Sequence, residues 1–271
     1  YDGYQASVFL PDPEQPGQIS DIDVRALYEA DDGALWISTN TGGLNRRDPR
    51  SGTFTQFHHD SADGRSLSDE SVYGLAEDAE GRVWVGTQRG LNRLDADGRH
   101  FERHFHEPGR AGSLAADWVF ALHRGPGGTL WVGTYGGGIN FVSRTKKNFL
   151  HYAHDPKDEN TLSHDIVWAL HESDDGILWI GIHGGGLDRL DRRQNHCTHF
   201  RTVPHDPNSL SHDMVRVIIP ADPGHLWIGT NGGGLNDFDE KSGRSVRYGA
   251  DPANPHGLSH NEIRALYRDK A

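Results

Sequence analysis

Short stretches in which apolar and polar residues alternate recur down the whole chain, each closed by Gly, Asp, Asn or Pro. None keeps the three-to-four-residue apolar spacing of an amphipathic helix over several turns, so the pattern predicts many short strands joined by tight turns. The stretches also repeat. Trp36, Trp84, Trp131, Trp179 and Trp227 are spaced by 48, 47, 48 and 48 residues, and Ile19, Leu67, Leu114, Leu162, Leu210 and Leu258 keep the same step. Within residues 162–209 the alternation predicts strands at 166–171, 177–182, 187–190 and 197–201. Asp174, Asp175 and Gly176 supply a hairpin turn between the first two, as Asp31, Asp32 and Gly33 do earlier. A glycine cluster follows the second strand: Gly42 and Gly43, Gly136 to Gly138, Gly184 to Gly186, Gly232 to Gly234.

Four short antiparallel strands per repeat predict an all-β fold, a β-propeller of four-stranded blades. A β-sandwich would have no reason to repeat its sequence at this period, and helical solenoids are excluded by the patterning. Five complete repeats span 19–66, 67–113, 114–161, 162–209 and 210–257, with partial blades at 1–18 and 258–271. The first ten residues resemble the tail of a preceding blade, and 258–271 repeat a first strand without the Trp-bearing second. The expectation is one propeller domain over 1–271, or a section of a larger one.

Composition changes this picture little. An apolar fraction of 34% is lean for one globular core, which suits an architecture that buries many small faces. The formal charge of −12 disfavours nucleic acid and anionic lipid as partners. The 18 His residues would carry the surface towards neutrality in mild acid. Cys197 stands alone, so neither an intrachain disulfide nor a cysteine zinc site is expected.

Strand order locates a candidate site. In an up-and-down blade the connection from second to third strand and the connection into the next first strand lie at the same end, and side chains that differ there between similar repeats are candidates for recognition. At the head of the first strand these are Arg25, Tyr73, Phe120, Trp168, Arg216 and Arg264. After the second strand they are Asn40, Gln88, Tyr135, His183 and Asn231. Aromatic rings stack on apolar faces while Arg pairs with carboxylate, phosphate or sulfate, so this mouth suits a polar small molecule or oligosaccharide, and Arg25, Arg216 and Arg264 favour an anionic one. The competing reading makes the same side chains filler between blades.

Other chemistry is weaker. Ser163, His164 and Asp165, repeated at Ser211, His212 and Asp213, have triad order, but adjacent residues cannot adopt triad geometry. His104 with His106, His58 with His59, and His151 with His154 lack further local ligands, so no metal and no cofactor is expected. The glycine clusters precede neither Lys-Ser nor a helix, which excludes a phosphate loop.

The segments Gly176 through Gly181 (GILWIG), Leu226 through Asn236 (LWIGTNGGGLN) and His205 through Asp213 (HDPNSLSHD) resemble the two-component regulator propeller repeat, and Tyr1 through Tyr4 resembles that family's lead-out from a preceding repeat. The turn at Gly125, Pro126, Gly127 and Gly128 departs from the acidic pattern. The resemblance implies an extracytoplasmic, periplasmic sensor domain of a bacterial receptor. Its implied partners are a small-molecule or oligosaccharide ligand and a membrane-linked histidine kinase or diguanylate cyclase output, with a dimer as one assembly. The alternatives are a propeller enzyme of lyase or hydrolase type, with His183, Tyr135 and Arg216 as acid, base and anion clamp, and a protein-interaction scaffold.

Overall fold

The computed structural model describes residues 8–12, 14, 17–142, 148–254 and 257–268. All regular structure among them is strand. Blade 1 holds β1 (Val24–Glu29), β2 (Leu35–Thr39), β3 (Leu44–Arg47) and β4 (Phe54–Phe57); blade 2 holds β5 (Val72–Glu77), β6 (Val83–Thr87), β7 (Gly90–Leu94) and β8 (Phe101–His104). Blade 3 holds β9 (Val119–Arg124), β10 (Leu130–Thr134), β11 (Ile139–Val142) and β12 (Leu150–Tyr152). Blade 4 holds β13 (Val167–Glu172), β14 (Ile177–Ile182), β15 (Gly186–Asp191) and β16 (His196–Phe200). Blade 5 holds β17 (Val215–Pro220), β18 (His225–Thr230), β19 (Leu235–Asp239) and β20 (Arg244–Tyr248). Each blade is one sheet in which every strand pairs with the next in sequence. The fold is an all-β propeller of four-stranded antiparallel blades. Two compact units are present: Tyr1–His106 with Asp117–Val119, and Glu107–Ala116 with Phe120–Ala271.

The repeated residues stack one blade on the next. In the second unit, a Cβ on Gly133, Gly181 or Gly229 would lie 2.6, 2.8 or 2.6 Å from a methyl group of Val167, Val215 or Ile263, each at the head of the following first strand or its equivalent. In the first unit Gly86 meets Val119 in the same way, at 2.6 Å. Only a bare α-carbon admits this approach. Val72, Val119, Val167 and Val215 are fully buried, whereas Val24, with no earlier blade among the described residues, is 42% exposed.

A second stitch is made by backbone. The N–H of Gly186 donates to the carbonyl of Asp213 at 2.9 Å, as Gly138 does to Asp165 at 3.0 Å and Gly43 to Glu70 at 3.0 Å. Gly186 has φ +83°, and a Cβ there would strike the Phe200 carbonyl at 2.2 Å, so the position demands glycine. The connection after the second strand is thereby bonded to the connection entering the next blade.

Buried polar groups follow the repeat as well. Asn45, Asn92 and Asn236 are fully buried, and each accepts from the backbone N–H of Ser20, Ser68 or Ser211 at 2.9 Å while donating to that serine's hydroxyl. The indole of Trp84 donates to Asp78 of its own acidic turn at 2.7 Å. Burial works against the Asp78 charge, yet the bonds from Trp84 and Arg82 hold its carboxyl below its usual range. Blade 3, whose turn has Gly125 in place of the acid, solves the same problem from next door: the Trp131 indole donates to Glu172 of blade 4 at 2.7 Å. A Cβ on Gly125 would fall on that carboxylate, so the glycine makes the room.

The expected strand at 177–182 agrees with β14, and the other three in that blade differ by one residue at both ends. Ile166, expected to open the first strand, instead bridges Tyr135 of the preceding blade. Residues 258–268 form isolated bridges, Ala250 to Leu258 and Asn231 to Glu262, rather than a strand, although Ile263 occupies the seat of a leading Val. The segment Tyr1 through Tyr4 lies outside the described residues. Of the rest of 1–18, Phe9 packs edge-on against Phe54 at 5.5 Å.

Two expectations follow. Gly181→Ala should destabilise the protein by about 1–3 kcal/mol in urea unfolding through overpacking, with part of the loss recovered in the double variant with Val215→Ala; strictly additive losses would place the strain elsewhere. His123 is half-buried, accepts the Glu172 N–H at 3.0 Å and lies 5.5 Å from His171; desolvation first, and then His171, push its pKa down to about 3. Above its unfolded value of about 6.5 both states are neutral there. As pH falls from there towards 3 only the unfolded chain takes the proton, so stability should drop by up to about 1.4 kcal/mol per pH unit from this group. The urea midpoint of His123→Gln should accordingly fall less than that of the parent between pH 7 and 4.

Candidate functional site

The leading residues of the first strands sit on β-bulges. Val24 pairs with Thr39 and Ala26 with Ser38, which leaves Arg25 as the extra residue; the same slip leaves over Tyr73 in blade 2, Trp168 in blade 4 and Arg216 in blade 5. A bulge bends the strand and re-aims the extra side chain, so four of the positions that vary between blades are set apart from the regular pleat.

In the first unit, the Arg25 guanidinium donates to Asn40 Oδ1 at 2.6 Å and lies 5.1 Å from the centre of the Tyr73 ring. Tyr73 in turn lies 5.9 Å from Trp118. Trp118 was missed by the repeat-based reading. The signal was an aromatic residue one place before the repeated Val, where the other blades carry Asp23, Ser71, Ile166 and Met214. Gln88 is exposed, and its backbone N–H donates to the Ser71 carbonyl at 3.0 Å.

In the second unit, Phe120 and Tyr135 form one ring pair at 6.0 Å. Trp168, His183 and Arg216 form a tighter group: the His183 ring meets the indole edge-on at 4.3 Å, and the Arg216 guanidinium lies 4.1 Å from the indole centre. The indole N–H of Trp168 is shielded from solvent and has no hydrogen-bond acceptor among the described residues. Beside this blade step, Asn231 donates to the Met214 sulfur at 3.6 Å, while its shielded Oδ1 has no donor among the described residues. Arg264 is turned to Glu262, at 2.9 Å. That bond first, and then the charges of Arg264 and Arg216, hold the Glu262 carboxyl below its usual range against desolvation. The cationic character expected from Arg264 is therefore partly offset on the spot.

The discounted chemistry is accounted for by structure. Asp165 caps the exit of the preceding fourth strand, accepting the His154 N–H at 2.7 Å, and Asp213 does the same for Thr202 at 2.6 Å. His164 accepts the N–H of Ile166 at 3.2 Å and the Ser163 N–H donates to Asp188 of β15 at 2.7 Å, so Ser163, His164 and Asp165 bond groups other than one another. His104 stacks on Trp84 at 5.4 Å, with burial pushing its pKa down, and His106 lies beyond the end of β8. His58 meets Glu70 at 3.3 Å, and His59, His151 and His154 bond backbone carbonyls.

Residues 18–41 and 66–89 match the family model described as the two-component regulator propeller. Among curated proteins, none matches the sequence. The fold is similar to that of the extracellular domain of a putative hybrid two-component system from B. thetaiotaomicron, with 23% identity and a TM-score of 0.72 over 92% of this chain and 38% of that one. It is similar to PorZ, a surface component of the type-IX secretion system of Porphyromonas gingivalis, at 17% identity and a TM-score of 0.63 over 90% and 36% of the two chains. It is also similar to virginiamycin B lyase from Staphylococcus aureus, at 14% identity and a TM-score of 0.54 over 80% and 70%. The chain thus spans less than two fifths of the first two. At such identities the likeness speaks for the fold alone: a β-propeller in which two segments, 18–41 and 66–89, match the two-component regulator propeller repeat.

Proposed function

We propose that this propeller is a section or the whole of an extracytoplasmic, periplasmic sensor domain, and that it binds a polar, anionic small molecule or oligosaccharide at the bulged ends of its first strands. The intact protein would pass the signal to a membrane-linked histidine kinase or diguanylate cyclase. The family of the repeats and the extracellular sensor of similar fold support the sensor role by analogy. The observation that carries the ligand site is the group of Trp168, His183 and Arg216. It offers an aromatic surface, a cation that can pair bidentately with an acid group, and an indole donor with no partner among the described residues, next to an acceptor on Asn231 that none of them uses. A buried donor without a partner costs about 1–3 kcal/mol, and a ligand oxygen would recover that cost.

The enzyme reading gains no comparable support. Tyr135 pairs with Phe120 whereas His183 pairs with Trp168, so the residues considered as acid and base make separate ring contacts. A thermal-shift panel of carboxylated and sulfated oligosaccharides, their neutral counterparts and small organic anions should yield stabilising ligands in the anionic arm. The double variant Trp168→Ala with Arg216→Ala should bind those ligands on the order of 100-fold more weakly while melting within about 4 °C of the parent. Unchanged affinity in that variant would refute the placement.

A further inference from the structure

On blade 4, away from the first-strand bulges, Asp188 and His199 stand directly opposite each other in the pairing of β15 with β16, and Cys197 lies two residues before His199 on the same face. The carboxylate, thiol and imidazole ligand atoms lie within 4.8 Å of one another, with His199 Nδ1 at 2.6 Å from Asp188 Oδ1 and 4.0 Å from Cys197 Sγ. Asp188 and Cys197 are buried.

Comparison with the other blades shows that this combination replaces the repeat's own. The position of Asp188 is Asn45, Asn92, Asn140 and Asn236 elsewhere, and that of Cys197 is Phe54, Phe101, Phe149 and Ser245. That of His199 is Gln56, Arg103, His151 and Arg247. Blade 4 alone combines an acid, a thiol and an imidazole at these three places. The atoms not aimed at the centre are already held by backbone: Asp188 Oδ2 accepts the Ser163 N–H at 2.7 Å, and His199 Nε2 donates to the Glu159 carbonyl at 3.1 Å. Metal-bound imidazoles and carboxylates are fixed in this way by their outer atoms. Cys197 and His199 also line a cleft of about 520 Å³ with Asp155, Asp158 and Glu159 of the connector, so the centre has an entry path and room for a further oxygen ligand.

We propose that Asp188, Cys197 and His199 form a mononuclear site for a zinc-type divalent cation, with the fourth position open to the cleft. Tetrahedral bonds of about 2.0–2.3 Å separate ligand atoms by roughly 3.3–3.6 Å, so the contacts at 2.6 and 4.0 Å need changes of less than about 1 Å. Binding displaces the proton shared by Asp188 and His199 and the thiol proton of Cys197. The ion would tie the connector, through Glu159 and Ser163, to the outer strands of its blade. Local spacing could not suggest this site, because the two halves meet only through strand pairing.

The test is titration of metal-free protein with Co²⁺ and then Zn²⁺. Cys197 is the chain's one cysteine, so a thiolate-to-cobalt charge-transfer band reports this site and not histidines elsewhere. The parent should show the band at one equivalent and lose it to Zn²⁺. Cys197→Ser should abolish it. The double variant Asp188→Asn with His199→Arg reproduces the arrangement of Asn92 with Arg103 and of Asn236 with Arg247, so it should keep the parent melting temperature yet bind Zn²⁺ on the order of 100-fold more weakly. A parent that binds Co²⁺ without a thiolate band, or Zn²⁺ affinity equal in parent and both variants, would overturn the proposal.

Discussion

At Gly133, Gly181 and Gly229 the place where a Cβ would stand is already taken by a methyl group of the next blade, from Val167, Val215 and Ile263. This close approach lets a thin sheet bury a large share of its few apolar residues, because a β-branched side chain is driven into the face of its neighbour with no intervening side chain. The leading valines of four blades are accordingly inaccessible to solvent, and Trp131 and Trp179 are almost wholly enclosed. A chain with a lean apolar fraction keeps a core by this repeated interlock rather than by one large cluster.

Such packing leaves polar groups stranded between sheets, and the repeat carries its own remedies. The buried asparagines bond the serine that precedes the first strand of their own blade, and the indole of Trp84 finds the acidic turn. Where a copy drifts, a neighbour compensates. Glu172 serves Trp131 after the acidic turn of blade 3 has become glycine, and His199 pairs with Asp188 where the amide has become an acid. In blade 3 Ala115 stands where a serine hydroxyl would receive the amide of Asn140, whose Nδ2 has no acceptor among the described residues. The drift at Asp188 goes beyond compensation, since it brings together donor atoms suited to a cation.

The interlock leaves the strand heads unused. The bulges release Arg25, Tyr73, Trp168 and Arg216 from the sheet pattern, so these residues are free to differ from blade to blade at little cost to stacking. Trp168 with Arg216 and His183 is the richest product of that freedom in the second unit, and Arg25 with Asn40 and Tyr73 is its counterpart in the first. A shared scaffold with variable ends is also why similar folds serve different roles.

The amino-acid sequence alone determined the blades: the Trp spacing, the acidic turns and the glycine clusters are local features, and each acts within one copy or at the same place in every copy. It also picked out the varying positions at the strand heads, since a departure from a repeat is visible without coordinates. What only the tertiary structure decided involves partners distant in sequence. Strand pairing turned Arg25 and Trp168 into bulge residues and moved Ile166 out of its expected strand to bridge Tyr135. Packing between blades enlisted Trp118 beside Tyr73 and sent Glu172 to Trp131. Asp188, Cys197 and His199 meet because two strands are in one register and not another. Periodicity specifies which residues face a sheet, but register and blade stacking specify which of them touch.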